Sequence, residues 1–446
     1  MALDFCALQE GFEFQRRMAA RVADFPSRVF ADGIRILRDD YLAKLTKTNP
    51  VYQRLTKGLD LENWSALPIL SKTDLLRLQG DLIAAAGYDV GAVEAYLNSG
   101  FALDKSLDGR TLAYRSSGSS GYCTSVLQSA HDLGRIISAY LNQALVPLLG
   151  RKPRIAYIGV MGQFNGGNQW AYYLGKLVST AIFDLFQPLD SYIAEIKSFA
   201  PDVLISRPRT ILEVVERLVE SGTEPAALTC VAVGEGAEEA IRAELADRFG
   251  LSIHSSYATS EIGPIGFQSD PTIPALDLYP TLVHVDLVDA NLLPVTEADV
   301  QGTIVATTLF ADRMPLIRYS TGDISAWYPS DGPRRLRLVG GRSLKNLHFV
   351  VDGVVSLVNE RHVSNLRFDG VREYRLVQNA PNGLRIDYVA APDRTPIPNL
   401  LSHNVAIALA GAKCTLPIKI ETCACVEIPR DPRSGKVVRV VPFIKE

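Results

Sequence analysis

Apolar residues recur at helical spacing through the first 57 positions, most clearly in RVFADGIRILRDDYLAKL, and this spacing predicts helix across residues 10–57. In LPILSKTDLLR, Ser71 and Asp74 stand three apart before an apolar run, the signature of a capping box that opens a further helix. From about residue 153 to 256 the period alternates. RIAYIGV, TAIFDLF, DVLISRP, LTCVAVG and LSIHSSY read as strands, while NQWAYYLGKLV, RTILEVVERLVE and AEEAIRAELADRF read as helices. Strands that alternate with helices predict βαβ units and a mostly parallel sheet covered on both faces.

Beyond about residue 275 the helices drop out. TLVHVDLVD, GTIVATTLF, PLIRYS, DISAWYP and RRLRLVG are short strands separated by turns, which predicts an antiparallel, β-barrel-like subdomain. Gly340-Gly341-Arg342-Ser343 then reads as a boundary, followed by strands, a helix near 400–410 and a polar end loop. The expected architecture is α/β. A large N-terminal domain, 1–341, carries the mostly parallel sheet and the barrel-like part, and a small α+β domain, 342–446, forms a C-terminal lid.

Composition narrows the function classes. The chain has 446 residues, formal net charge -3 and a pI near 6.1. That balance argues against a nucleic-acid partner, which needs a basic excess. No apolar stretch reaches 18 residues, so no membrane span is expected, and the opening MALDFCALQEGFEFQRR lacks the basic-then-apolar order of a signal peptide. Cys6, Cys123, Cys230, Cys414, Cys423 and Cys425 are scattered as reduced thiols of a cytoplasmic protein would be, and Cys423 and Cys425 read as same-face positions of one strand. No His/Cys group reaches metal-site spacing. Residues 343–446 carry 14 Lys/Arg against 10 Asp/Glu, a net of +4 that leaves −7 for residues 1–342, and a basic lid on an acidic body suits an anionic ligand.

The chemistry-bearing segments fall in turns. In Tyr114-Arg115-Ser116-Ser117-Gly118-Ser119-Ser120-Gly121-Tyr122, small hydroxylated residues around two glycines can wrap N–H and O–H donors about a polyphosphate. No lysine follows the second glycine, so it is not a Walker A loop. Downstream, after strands, come Gly234-Glu235-Gly236, Tyr257-Ala258-Thr259-Ser260-Glu261, Arg318-Tyr319-Ser320-Thr321-Gly322-Asp323, Gly341-Arg342-Ser343, and Pro429-x5-Gly435-Lys436-x2-Arg439. Strand ends are where α/β proteins collect ligands.

This ordered series resembles the adenylate-forming (ANL) superfamily, and within it the phenylacetate–CoA ligase and coenzyme F390 synthetase branch. NPVYQRL near 49, LPILSKTDL near 67, Gly162-Gln163-Phe164-Asn165-Gly166-Gly167, IKSFAPDVLISRP at 196–208 and PLIRYSTGD at 315–323 carry the branch likeness, which spans nearly the whole chain. The resemblance implies that a carboxylic acid, aryl or acyl, attacks ATP to give an acyl-adenylate and pyrophosphate. Ser116, Ser117, Gly118, Ser119, Ser120 and Gly121 would cover the β- and γ-phosphates. Tyr257 with Ala258 would stack on adenine, edged by Gly234, Glu235 and Gly236. Ser260 would touch a phosphate and Glu261 would hold Mg²⁺. Asp323 would accept the ribose hydroxyls, Arg342 would lie near the ribose, and Lys436, on a mobile loop, would reach the forming bond. Phe164, Asn165, Gly166 and Gly167 with Ile262, Gly263 and Pro264 would shape the acid pocket. His254 reads as a structural histidine, although it stands near enough to Tyr257 to orient the acid.

The sequence departs from the family pattern at defined places. Tyr122-Cys123-Thr124 follow the phosphate loop in place of the usual Lys-Pro, and Ala258 stands where glycine is usual. Leu344 and Lys345 replace the acidic hinge pair, and the glycine of the pantetheine path falls on Val351, with Gly353 two residues away. The leading expectation is an acyl-adenylate passed to the thiol of coenzyme A. The alternatives are transfer to a carrier protein, an amine or a partner reductase, and a non-catalytic nucleotide- or acyl-binding protein. The family also suggests a homodimer.

Overall fold

The computed structural model describes all residues except 24–26, 117–122, 163–165, 226, 235–238, 331, 338–345, 360–362, 364–365, 367, 392–394, 413, 431–439, 442 and 444–446, and, for side chains, also excepts 21–23, 27–32, 239–240, 346, 357 and 359. The chain divides into two compact units, Met1–Val339 and Gly340–Glu446.

The first unit opens with the helices Phe5–Ala23, Ser27–Thr48 and Pro50–Leu55. Asn49 caps the third, its carboxamide oxygen accepting from the Val51 and Tyr52 amides. The helix Lys72–Ala85 begins with the expected reciprocal Ser71/Asp74 capping box. The helix Phe5–Ala23 lies against a later one, Ala130–Ala139, at glycine-enforced range. A Cβ on Gly134 would stand 1.9 Å from the Leu8 carbonyl oxygen, and one on Gly11 would stand 2.0 Å from that of His131. Gly134→Ala therefore has to push the helices apart. It is expected to cost about 1–3 kcal/mol, the scale of an overpacked core, read as a lower urea midpoint at unchanged slope.

Strands β1 (Thr111–Arg115) and β2 (Ser125–Ser129) form an antiparallel pair that flanks the serine/glycine loop. Next come β3 (Ile155–Gly159), β4 (Thr180–Asp184), β5 (Val203–Ser206), β6 (Thr229–Val233) and β7 (Ile253–Thr259), a parallel ladder in the order β4-β3-β5-β6-β7. The helices Gly167–Leu174, Ile193–Phe199, Pro208–Glu220 and Glu239–Phe249 intervene. Ile155, Val203, Ile205 and Val231 bury toward one core, and Ala156, Ile158, Leu204 and Ala232 toward a second. The alternation of strand side chains thus serves both covered faces.

The antiparallel strands begin at Gly263, earlier than the sequence suggests, and continue the same ladder. They are β8 (Gly263–Phe267), β9 (Ala275–Leu278), β10 (Val283–Val288), β11 (Gln301–Thr308), β12 (Tyr319–Tyr328) and β13 (Arg335–Arg337). The order runs β7-β8-β9-β13-β12-β11-β10, which completes an 11-stranded sheet.

The second unit holds a hairpin, β14 (Asn346–Val351) and β15 (Val354–Asn359), whose two turn residues Asp352 and Gly353 both have positive φ, 50° and 78°. Strands β16 (Val371–Ala380), β17 (Gly383–Ala390), β18 (Lys419–Ala424) and β19 (Val440–Val441) form a mixed sheet in the order β18-β17-β16-β19. The helix Pro398–Gly411 contributes Leu401, Val405 and Leu409 to its core. Among the described residues no helix is long and apolar enough to cross a membrane.

Candidate active site

The site is organised around a lysine that the motif reading passed over. Leu70 pairs with Tyr319 at the start of β12: its amide donates to the Arg318 carbonyl at 2.9 Å and its carbonyl accepts from the Ser320 amide at 2.8 Å. That seam fixes the first turn of the helix Lys72–Ala85. The Lys72 ammonium then donates to Ser116 Oγ at 2.9 Å, to Thr124 Oγ1 at 3.0 Å and, in a short ion pair, to Glu261 Oε1. The Lys72 and Glu261 side chains are 22% and 9% exposed, so the pair is screened little by water.

Ser116 and Thr124 hold the two ends of the serine/glycine loop together. The Ser116 amide donates to the Thr124 carbonyl at 2.8 Å, and the Thr124 amide donates to Ser116 Oγ at 2.9 Å. Thr124 Oγ1 also approaches Glu261 Oε1 at 3.2 Å. A loop of seven intervening residues is thereby closed at its base beside a carboxylate and an ammonium, the electrostatics that a metal-bound polyphosphate needs.

Tyr114 ties neighbouring segments to this base. Its hydroxyl donates to the Ser260 carbonyl at 3.2 Å, and its ring packs against Gly166. Burial, with Glu261 nearby, pushes the phenol well above its usual range, so it stays a donor. Tyr114, Glu261, Ile262 and Gly263 also line a small cavity of about 20 Å³ together with Asp132, Phe310 and Met314, room for roughly one water.

A second cluster lies on β7 and β12. The Tyr257 hydroxyl donates to Asp323 Oδ2 at 2.8 Å and approaches Thr321 Oγ1 at 3.3 Å, while the Asp323 amide donates to Thr321 Oγ1 at 3.2 Å. Asp323 is 7% exposed, so its carboxylate is aimed by neighbours. Ala258 and Pro264 face each other across a β-bulge where β7 turns into β8, which directs Ser260 and Glu261 out of the ladder. Gly234 follows β6 at an exposed position, and the Arg207 guanidinium beside it donates to the Val233 carbonyl at 3.1 Å.

The structure thus brings together Ser116, Ser260, Glu261, Ile262 and Gly263, and separately Tyr257 and Asp323. Gly166 and Gly167 open the helix Gly167–Leu174. Ser117, Gly118, Ser119, Ser120, Gly121, Phe164, Asn165, Glu235, Gly236, Arg342, Leu344, Lys345 and Lys436 lie outside the described residues. His254 is structural: its Nδ1 meets the Gln268 carbonyl at 2.8 Å, its ring stacks on Phe267, and burial lowers its pKa.

Apart from the Lys72 nitrogen, the polar groups at Glu261 Oε1 are oxygens, the ligand type Mg²⁺ prefers, so the carboxylate and the Thr124 hydroxyl fit that ion once Lys72 yields its contact. Lys72 is the residue that sequence reasoning missed. It directly follows the Ser71 helix cap, and LPILSKTDL was informative only as a helix start and a branch motif.

No family model matches the chain. A phenylacetate-coenzyme A ligase of Aromatoleum evansii is 30% identical over 195 residues, 41% of this chain and 43% of that protein. A phenylacetate-coenzyme A ligase of Pseudomonas putida is 26% identical over 243 residues, 52% of this chain and 54% of that protein. These matches span about half the length of the curated relatives. Among solved structures, 2-hydroxyisobutyryl-CoA ligase in the postadenylation state with R3-HIB-AMP aligns with TM-score 0.71 at 17% identity, covering 94% of this chain and 90% of that one. An amide bond synthetase from Marinactinospora thermotolerans aligns with TM-score 0.53 at 16% identity over 75% of this chain and 69% of that one.

Proposed function

From a chain that has the fold of the adenylate-forming ligases and is similar in sequence to phenylacetate–CoA ligases, we propose an enzyme that activates a carboxylic acid with ATP. It releases pyrophosphate and passes the acyl group to a thiol, that of coenzyme A. The observation that carries this reading is the Lys72–Glu261 pair seated on Ser116 and Thr124 at the base of the serine/glycine loop. No packing role requires an ammonium, a carboxylate and two hydroxyls to converge beside a glycine-rich loop.

In this reading residues 116–121 cover the β- and γ-phosphates. Glu261 would hold Mg²⁺, which would supply positive charge against the phosphates, and Lys72, released from that carboxylate, would donate to a phosphate oxygen. Tyr257 positions Asp323 for the ribose hydroxyls, with Gly234, Glu235 and Gly236 along adenine and Arg342 near the ribose. Phe164, Asn165, Gly166, Gly167, Ile262, Gly263 and Pro264 receive the acid. Residues 1–341 are assigned the acid and ATP site, and Lys436, from residues 342–446, is assigned to the forming bond. The setting is the cytoplasm, and the same fold leaves an amine or a carrier-protein thiol as the competing acceptor.

The test is acid-dependent ATP–pyrophosphate exchange over a panel of aryl and acyl acids, repeated with coenzyme A and product analysis. Exchange with one acid class, and a CoA thioester on adding the thiol, is the expected result. ATP binding without exchange for any acid would favour the non-catalytic reading. Asp323→Asn is expected to raise the KM for ATP about tenfold, the scale of one hydrogen bond to a charged group, while changing the KM for the acid by less. Steady-state titration of each substrate checks it, and the reverse order would remove Asp323 from the ribose.

A further inference from the structure

We propose that His131, Asp132 and Asp312 form a binding site for a divalent metal ion of the zinc or manganese kind, which fastens the start of the helix Ala130–Ala139 to the loop after β11. The sequence hides this group because 180 residues separate two of its members. In the fold, one ring nitrogen and one oxygen from each carboxylate lie within 4.8 Å of one another. Donors about 2.1 Å from a common tetrahedral ion stand roughly 3.4 Å apart, so the group has to draw in by about 1.4 Å at most. One imidazole and two carboxylates are ligands that borderline divalent ions accept.

Two ligand-type atoms of these residues have no hydrogen-bond partner among the described residues. They are His131 Nδ1 and Asp132 Oδ1, both shielded from solvent. Asp132 is 1% exposed, and a carboxylate so deep is costly without a counter-charge or a proton. Its other oxygen is held in place, accepting from the Asp312 amide at 3.1 Å and the Ser129 amide at 3.4 Å. That grip fixes the carboxylate plane while leaving Oδ1 unused. Helix capping alone explains the held oxygen and not the orphaned one.

The nearby cations are otherwise engaged. Arg135 donates Nε to Gln15 Oε1 and a terminal nitrogen to the Thr281 carbonyl, both at 3.2 Å, and its guanidinium lies over the Phe14 and Phe310 rings. Lys44 reaches Asp312 only from the solvent side, at 3.5 Å. Among the described residues no cation lies within 4.0 Å of the Asp132 carboxylate. Glu10 and Arg135 add weaker fields of opposite sign at His131. Asp312, 46% exposed, offers the way in.

The experiment uses the full chain, stripped with a chelator and titrated with Co²⁺ and Zn²⁺ without ATP or acid. It is run in the Cys423→Ser/Cys425→Ser background because those two thiols and Asp387 form another close group. One ion per chain is expected, with Co²⁺ d–d bands and no thiolate charge-transfer band, and with a rise in Tm on adding Zn²⁺. Asp312→Asn, at a half-exposed position that does not threaten folding, is expected to weaken binding at least about tenfold and abolish that rise. Absence of saturable binding, or equal affinity in both proteins, overturns the proposal.

Discussion

Lys72→Ala is expected to lower acid-dependent ATP–pyrophosphate exchange by about a hundredfold or more, the scale of losing one preorganised charge contact at a reacting centre. The substitution acts twice. It removes the ammonium that bridges Ser116, Thr124 and Glu261, and it leaves the Glu261 carboxylate, 9% exposed, without its counter-charge. Lys72→Arg keeps the charge but replaces a compact ammonium with a planar fork that cannot meet all three oxygens, so partial activity is expected. Glu261→Gln should be sub-additive with Lys72→Ala, because each already breaks the same unit. A rate within threefold of the parent, in protein that folds normally, would make the lysine a structural strut.

Lys436→Ala is expected to cut acyl-adenylate formation at least about a hundredfold. A carboxylate oxygen has to approach an α-phosphate, two anions that repel along the line of attack. A compact ammonium between them offsets the charge at closest approach, where it is worth most. The loss should appear in adenylate formation and spare thioester formation from a supplied acyl-adenylate. Rapid-quench measurement of the two half-reactions separates them, and unchanged adenylation would remove Lys436 from that step.

Much of this architecture was legible because its signals are local. The alternation through RIAYIGV, DVLISRP and LTCVAVG became β3, β5 and β6, and the Ser71/Asp74 spacing became a reciprocal cap. What the sequence withheld depends on distant partners. Nothing near Lys72 announces that Glu261, 189 residues on, will accept a hydrogen bond from its ammonium. Nothing near Asp277 announces Arg335, whose strand pairs with β9 only after three intervening strands have folded back. The sequence signal for the antiparallel region starts only near 275 because β8 contains two glycines and a proline, which mute its strand character. Gly353 answers to a local demand, the positive φ of a two-residue hairpin turn.

The position of β13 bears on how the chain is made. Its three residues sit between β9 and β12, pairing Leu276 with Leu336 on one side and Leu336 with Trp327 on the other. Leu336 is fully enclosed. During synthesis the parallel strands and β8–β9 leave the ribosome first, then β10–β12, and until residue 337 emerges the ladder has a gap between two unsatisfied edges. Such edges recruit strands from other chains, so the nascent protein is most exposed to mispairing just before its first unit is complete. The shortest strand of the main sheet is thus the one that determines when translation has delivered a closed structure.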